Sequence, residues 1–323
     1  MKAIVYRAYG SADVLELQET TNPDVKDDDV LVRVHAASVN PLDWHFMRGM
    51  PYVMRAGTGL RKPNATRLGV DVAGQVEAVG KNVTQFAPGD EVFGAGKGAF
   101  AEYVCASERA LALKPGNVTF EQAAAVAIAG FTALQRLRDK GHVQRGQKVL
   151  INGAAGGVGT FAVQIAKSFG ADVTGVCSTR NVGMVRSIGA DHVIDYTQED
   201  FTRTGQRFDV ILDMIGNHSF SDLRRALTPK GTLVLVGSTD KGRWLGPLMG
   251  PLEAVLLSPF VSQKLRPFLA HSSKEDLIIM QELLAAGKVT PVIDRCYPLS
   301  EVPDAIRYLE EGHAQGKVVI TVA

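Results

Sequence analysis

A run of seven small residues, Gly153-Ala154-Ala155-Gly156-Gly157-Val158-Gly159, is the part of this chain best suited to chemistry. It follows the apolar stretch Lys148-Val149-Leu150-Ile151-Asn152 and precedes a helical pattern, Phe161-Ala162-Val163-Gln164-Ile165-Ala166-Lys167. Strand, tight turn and helix start together open a βαβ unit. Tiny side chains let backbone amides approach an anion, and a helix N-terminus adds unpaired N–H groups carrying about half a positive charge. The anion such a unit receives is a dinucleotide pyrophosphate. Ala155, Gly156, Gly157 and Val158 are the candidate contacts; Gly156 is where the main chain should pass the phosphates, and Gly159 where the helix should sit close to the sheet. Redox chemistry is the expectation.

About 20 residues on, the second strand ends at Cys177-Ser178-Thr179-Arg180-Asn181. Dinucleotide binders that use NAD place an acid there for the ribose 2′-hydroxyl; none occurs in this segment. The Ser178 hydroxyl and Arg180 guanidinium can instead hold a 2′-phosphate, which predicts NADPH. The competing reading makes Ser178 a helix cap and Arg180 a surface residue. Tyr196, just past the third strand, can flank the adenosine end or be an ordinary strand-end aromatic.

These residues need a frame. From Met1 to about Asn117 short alternating strands separated by Pro/Gly turns predict a small barrel or sandwich. Thr119-Phe120-Glu121-Gln122 has the form of a capping box, opening a helix that runs toward Arg138, broken at most by Gly130. Strict βα alternation follows, with strands at 148–152, 173–177, 192–195, 208–213 and 232–237 and helices near 158–169, 180–188 and 219–227. That rhythm predicts a doubly wound parallel sheet, so the class is α/β. Helices near 274–286 and 301–311 flank a strand region around 289–297. The last strand, 317–322, is expected to rejoin the N-terminal domain. The expected division is 1–122 with 267–323 as one domain and 123–266 as the other.

A formal net charge of +1 gives no drive toward nucleic acid or acidic membranes. Cys105, Cys177 and Cys296 are too few and scattered for a disulfide framework or metal clip. The start, Met1-Lys2-Ala3-Ile4-Val5-Tyr6, reads as a strand rather than a signal peptide, so a cytoplasmic location is expected. Trp244–Val261 is apolar, but as a helix it would span only about 27 Å of a hydrocarbon core of about 30 Å. Pro247, Pro251 and Pro259 would also break it. It reads as a loop and short helix over a substrate cleft or subunit interface, with no membrane span.

Several further motifs accompany the glycine turn: Val39-Asn40-Pro41-Leu42-Asp43, Gly69-Val70-Asp71-Val72-Ala73-Gly74, Pro88-Gly89-Asp90-Glu91-Val92, Gly130-Phe131-Thr132-Ala133, Gly189-Ala190-Asp191 and Gly312-His313-Ala314-Gln315-Gly316-Lys317. Through them the chain resembles, over nearly its whole length, the medium-chain dehydrogenase/reductase superfamily, in its zinc-free quinone oxidoreductase branch. The resemblance implies a GroES-like β-rich catalytic domain split around a Rossmann domain, an active site in the cleft between them, and a homodimer. Zinc-dependent members carry a cysteine ligand where this chain has Asn40 and Gly-His-Glu where it has Gly69-Val70-Asp71. No metal is expected, because Asp71 alone cannot replace a converging set of ligands and neither His35 nor His45 has a visible partner system.

Without a Lewis acid the suitable substrates are electron-poor: quinones or α,β-unsaturated carbonyls such as enones. The resemblance places the loop holding Asn40 and Tyr52 beside the nicotinamide. Asn40 could donate its amide to the substrate oxygen or simply brace the loop; Tyr52 could donate a proton or pack a wall. Asp43 fits an orienting role. Thr132 would touch the nicotinamide side or bond within its helix. Ile215 after one strand, and Val236 and Gly237 at the end of the next with Ser238 following, would bring backbone to the nicotinamide ribose. Lys317 matches a family position near the cofactor, with an exposed lysine as the alternative. Arg55, Arg61, Lys62 and Arg67 could favour an anionic substrate tail or be ordinary surface charge. The expected activity is NADPH-dependent, zinc-independent hydride transfer to quinones or enones. The alternatives are a 2-enal or enoyl-thioester reductase, or a non-catalytic NADPH-binding regulatory protein.

Overall fold

The computed structural model describes residues 1–235, 264–267 and 271–322. The chain starts with β1 (Lys2–Val5), β2 (Glu16–Glu19) and β3 (Asp29–Val39), then the helices α1 (Pro41–Arg48) and α2 (Arg55–Thr58). The strands β4 (Asp71–Val79), β5 (Glu91–Ala95), β6 (Tyr103–Ser107) and β7 (Leu111–Leu113) follow. Two helices come next, α3 (Phe120–Ala124) and α4 (Ala127–Gln135).

The second block is β8 (Lys148–Asn152), α5 (Gly157–Ser168), β9 (Asp172–Cys177), α6 (Val182–Ser187), β10 (His192–Asp195), β11 (Phe208–Asp213), α7 (Phe220–Ala226), β12 (Leu227–Leu235) and β13 (Lys264–Pro267). The chain then returns through α8 (Lys274–Ala285), β14 (Ile293–Pro298), α9 (Val302–Glu310) and β15 (Lys317–Thr321).

The chain divides into two compact units. One contains 1–131, 271–287 and 291–323; the other contains 132–270 and 288–290. The division falls inside α4, between Phe131 and Thr132, rather than between residues 122 and 123 within α3.

In the first unit β14-β15-β3-β4-β5-β7 form a sheet, with β6 on β3. The final strand does rejoin the N-terminal segment: β15 runs antiparallel to β3, with Val318 opposite Val39 and Ile320 opposite Ala37. Its core gathers Val32, Val34, Val72, Phe100, Ile306, Val318 and Ile320. The second unit is a six-stranded sheet in the order β10-β9-β8-β11-β12-β13. All its pairings are parallel. Strand order reverses between β8 and β11, so their carboxyl ends mark the switch point at which open α/β sheets bind ligands.

The capping box is present: the Thr119 hydroxyl accepts from the Gln122 amide (3.2 Å), and Gln122 Oε1 accepts from the Thr119 amide (3.0 Å). The helical path does reach Arg138, α4 continuing as a π turn over Arg136–Lys140, but it is interrupted before α4 and Gly130 is not its weak point. It breaks at Ala125–Val126, because the Ile128 N–H donates to the buried Asp71 carboxylate (3.0 Å) of β4. Gly130 instead makes room for Met280, whose Cε lies 3.0 Å from where a Cβ would be. Among the described residues no helix is long and apolar enough to cross a membrane. The 244–261 stretch lies outside them.

Candidate active site

Gly153 leaves β8 with φ +88°, a conformation side chains rarely adopt, and packs under Ile215, whose Cδ1 is 2.9 Å from its notional Cβ. Gly159 is required for a different reason: a Cβ there would lie 2.1 Å from the Gly153 carbonyl oxygen. Gly156, at the N-cap of α5, obeys neither constraint. Its φ is −81° and its side chain supplies no cap. A Cβ there would meet only the Gly153 oxygen, at 3.6 Å. The fold leaves that space open, and a methyl group would fill it. Ala155 is buried, while Gly156, Gly157 and Val158 are partly open, at the start of a helix twelve residues long.

The neighbouring strand ends complete this edge. Asn152 and Asp213 close β8 and β11, and the Asn152 amide donates to Asp213 Oδ1 (2.8 Å) and Asn217 Oδ1 (3.0 Å). The Ile215 and Gly216 amides also donate to Asp213 Oδ1, at 3.1 and 3.0 Å. Ser178 and Arg180 follow β9; Ser178 is half-buried and Arg180 exposed. The Ser178 hydroxyl does not cap the following turn; it accepts from Asn181 Nδ2 (3.2 Å). Tyr196 follows β10, is largely exposed, and its amide bonds the Cys177 carbonyl (3.0 Å). A carboxylate missed in the sequence also stands here. Asp195 accepts from Thr179 Oγ1 (2.5 Å), and this bond holds its carboxyl below the usual range. Asp195 is not on β9 but arrives from the adjacent strand β10, where it stands opposite Cys177. Thr132 is buried in α4, its carbonyl accepting from Arg136 Nη1 (3.4 Å). Val236, Gly237 and Ser238 lie outside the described residues.

In the other unit Asn40 and Lys317 meet. Lys317 Nζ donates to Asn40 Oδ1 (2.6 Å) and Asp71 Oδ2 (3.3 Å). Lys317 is 3% exposed and Asp71 wholly buried, so the exposed-lysine reading is excluded. Asp71 Oδ2 also accepts from Ser38 Oγ (2.7 Å) and from Asn40 Nδ2 (2.9 Å). The second amide hydrogen of Asn40 goes to the Ser38 carbonyl (3.3 Å). Both hydrogens of that carboxamide are therefore engaged within the protein. Asn40 is a brace, and the expectation that it donates to a substrate oxygen is corrected. Asp43, at the start of α1, accepts from the amides of Asn40 (2.7 Å) and Gly69 (3.2 Å), the orienting role expected of it. Burial pushes its carboxyl up to about 7.

Tyr52 stands on a separate turn, half-exposed, with the Arg55 guanidinium over its ring at 4.7 Å. Arg55 is thereby engaged in the fold rather than offered to an anionic tail.

The donor set does not suit zinc. Asp71 spends its oxygens on Ser38, Asn40, Lys317 and Ile128, and a lysine ammonium already supplies the local positive charge. His35 stacks on Phe120, with ring centroids 4.3 Å apart. His45 Nδ1 bonds the Met50 carbonyl (2.8 Å). Among the described residues no three His, Cys, Asp or Glu side chains gather as a metal would require.

The sequence profile of the alcohol dehydrogenase GroES-like domain matches residues 26–116, and that of the zinc-binding dehydrogenase domain matches 188–320. The 2-methylene-furan-3-one reductase of Solanum lycopersicum is 37% identical over 99% of this chain and 79% of its own length. The NADPH-dependent alkenal/one oxidoreductase of Arabidopsis thaliana chloroplasts is 35% identical over 99% and 79%. The solved structure of the Coxiella burnetii quinone oxidoreductase superposes with a TM-score of 0.86 at 31% identity, covering 100% of this chain and 99% of that one. Sequence, sheet topology and glycine turn agree: the chain belongs to the medium-chain dehydrogenase/reductase superfamily of nicotinamide-dinucleotide-dependent oxidoreductases, in its quinone oxidoreductase-like branch.

Proposed function

We propose that the chain is an NADPH-dependent reductase of quinones or α,β-unsaturated carbonyls. The observation that carries this reading is Gly156: a glycine that the fold does not need, at the open N-terminus of α5 and at the switch point of a parallel sheet. Residues 155–158 would hold the pyrophosphate against amide hydrogens, and Ser178 and Arg180 the 2′-phosphate. Asp195 stands close by, yet its bonds to Thr179 and Thr197 give its charge local partners.

When bound, the reduced nicotinamide supplies hydride to an electron-poor carbon. Negative charge then gathers on the substrate carbonyl oxygen, and a donor placed there lowers the barrier. By the family resemblance, Tyr52 is the proposed donor. The similarity to an alkenal/one oxidoreductase and to a quinone oxidoreductase supports this substrate class.

The test is consumption of NADPH and of NADH against quinones, enones, 2-enals and enoyl thioesters, with products identified. NADPH-dependent reduction of a quinone or enone is expected, with Arg180→Ala raising KM for NADPH about tenfold and leaving KM for NADH unchanged. Tight NADPH binding with no turnover across the panel would establish a regulatory binder instead.

A further inference from the structure

A carboxylate ties the turn after β9 to the next strand. Ser178 opens a single tight helical turn, Thr179–Asn181, closed by the Asn181 amide on the Ser178 carbonyl (2.9 Å). β10 runs parallel to β9, so the chain leaves both strands at the same edge of the sheet. There Asp195 Oδ2 accepts from Thr179 Oγ1 (2.5 Å), while Oδ1 accepts from the Thr197 hydroxyl (2.8 Å) and amide (3.0 Å). Both carboxylate oxygens are therefore engaged, one by each segment. The Ser178 hydroxyl accepts from Asn181 Nδ2 (3.2 Å), and its own hydrogen meets no acceptor among the described residues. The glycine turn hangs from the same strand: the Gly153 and Ala154 amides donate to the Val176 carbonyl, at 3.2 and 3.0 Å. β9 thus spaces the glycine turn from Ser178, all within one compact unit.

We propose that Asp195 is a positioning residue for the cofactor: by holding Thr179 it fixes the Ser178 hydroxyl where the 2′-phosphate of NADPH binds. This rests on the reading of NADPH as the cofactor, with its 2′-phosphate at Ser178. A carboxylate acting only through its charge would repel that phosphate, and removing it would tighten NADPH. A carboxylate that orders the turn has the opposite effect. The turn is fixed when the protein folds, so binding does not have to order it, and losing the tie weakens the nucleotide. The two roles differ in sign.

The experiment measures Kd for NADPH, NADH, 2′,5′-ADP and 5′-AMP in Ser178→Ala, Thr179→Val, Thr179→Ser, Asp195→Ala and the Thr179→Val/Asp195→Ala double variant. Thr179→Val and Asp195→Ala are each expected to weaken NADPH and 2′,5′-ADP about tenfold, and NADH and 5′-AMP less than about twofold. Thr179→Ser keeps the hydroxyl and should bind within about twofold of the parent. The double variant should be no weaker than the weaker single variant, because both changes break one tie. If Asp195→Ala does not fold, Thr179→Val and Thr179→Ser carry the same comparison. Unchanged binding of NADPH and 2′,5′-ADP in Ser178→Ala places the 2′-phosphate elsewhere and overturns the proposal at its premise. With Ser178→Ala weakened, three results overturn the proposal alone: tighter NADPH in Asp195→Ala, unchanged NADPH in Thr179→Val, or equal weakening of all four ligands.

Discussion

At the scale of single residues, three glycines of one turn separate structural need from ligand need. Gly159 cannot carry a side chain because the Gly153 carbonyl occupies the space, and Gly153 cannot because of its backbone angle. Gly156 can accept a Cβ without touching protein closer than 3.6 Å. The two kinds of glycine therefore respond differently to alanine. Gly156→Ala should melt within about 2 °C of the parent yet bind NADPH at least about tenfold more weakly, because the methyl group stands where phosphate approaches. Gly159→Ala should instead cost about 1–3 kcal/mol in urea unfolding, the penalty of overpacking. Thermal melts and titration of nicotinamide fluorescence decide it. Unweakened NADPH binding in Gly156→Ala would remove the phosphates from this turn.

At the scale of elements, the corner between β3 and α1 is held by a carboxyl that prefers to be neutral. Burial raises Asp43 from 3.8 to about 7, with the charge of Asp71 adding to the effect and the Asn40 and Gly69 amides and Lys317 opposing it. Folded protein therefore keeps a proton on Asp43 between about pH 4 and 7 that unfolded chain has released. Its contribution to stability is full below about pH 4, falls as pH rises through that window, and is gone above about 7. A shift of this size corresponds to about 4 kcal/mol between the two ends. Urea unfolding at pH 4.5 and 7.5 should show the parent losing stability relative to Asp43→Asn; parallel profiles would refute it. This corner also shows how far a sequence can be read. β8 through β11 lie within a residue of their expected limits, because βα alternation is a local pattern and each strand is buried by its immediate neighbours. The capping box at Thr119 is equally local. The break after α3 depends on Asp71, Asn40 owes its bracing role to Lys317 at the far end of the chain, and Tyr52 meets a guanidinium that Tyr9 helps to hold. Each of these needs a partner brought by the sheet, and no spacing along the chain announces it.

At the scale of the whole molecule, the return of β15 to β3 makes the parallel-sheet unit an insertion within the first. The proposed phosphate contacts 155–158, 178 and 180 all belong to the inserted unit, whereas Asn40, Asp43, Asp71 and Lys317 belong to the other. A ligand stabilises whatever folds to bind it, by about 2.7 kcal/mol at a hundredfold excess over Kd. NADPH should therefore raise protection of the inserted unit first. Native-state hydrogen exchange is the direct measurement, read for β8, β9 and β11 in one unit and for β4, β5 and β7 in the other. With NADPH at a hundred times Kd, amides of β8, β9 and β11 should slow by up to about a hundredfold, and those of β4, β5 and β7 by much less. Equal slowing in both sets would mean that the two units open as one cooperative body, so that binding in the insertion is felt throughout. Slowing confined to β4, β5 and β7 would place the dinucleotide away from the glycine turn and overturn the assignment of residues 155–158.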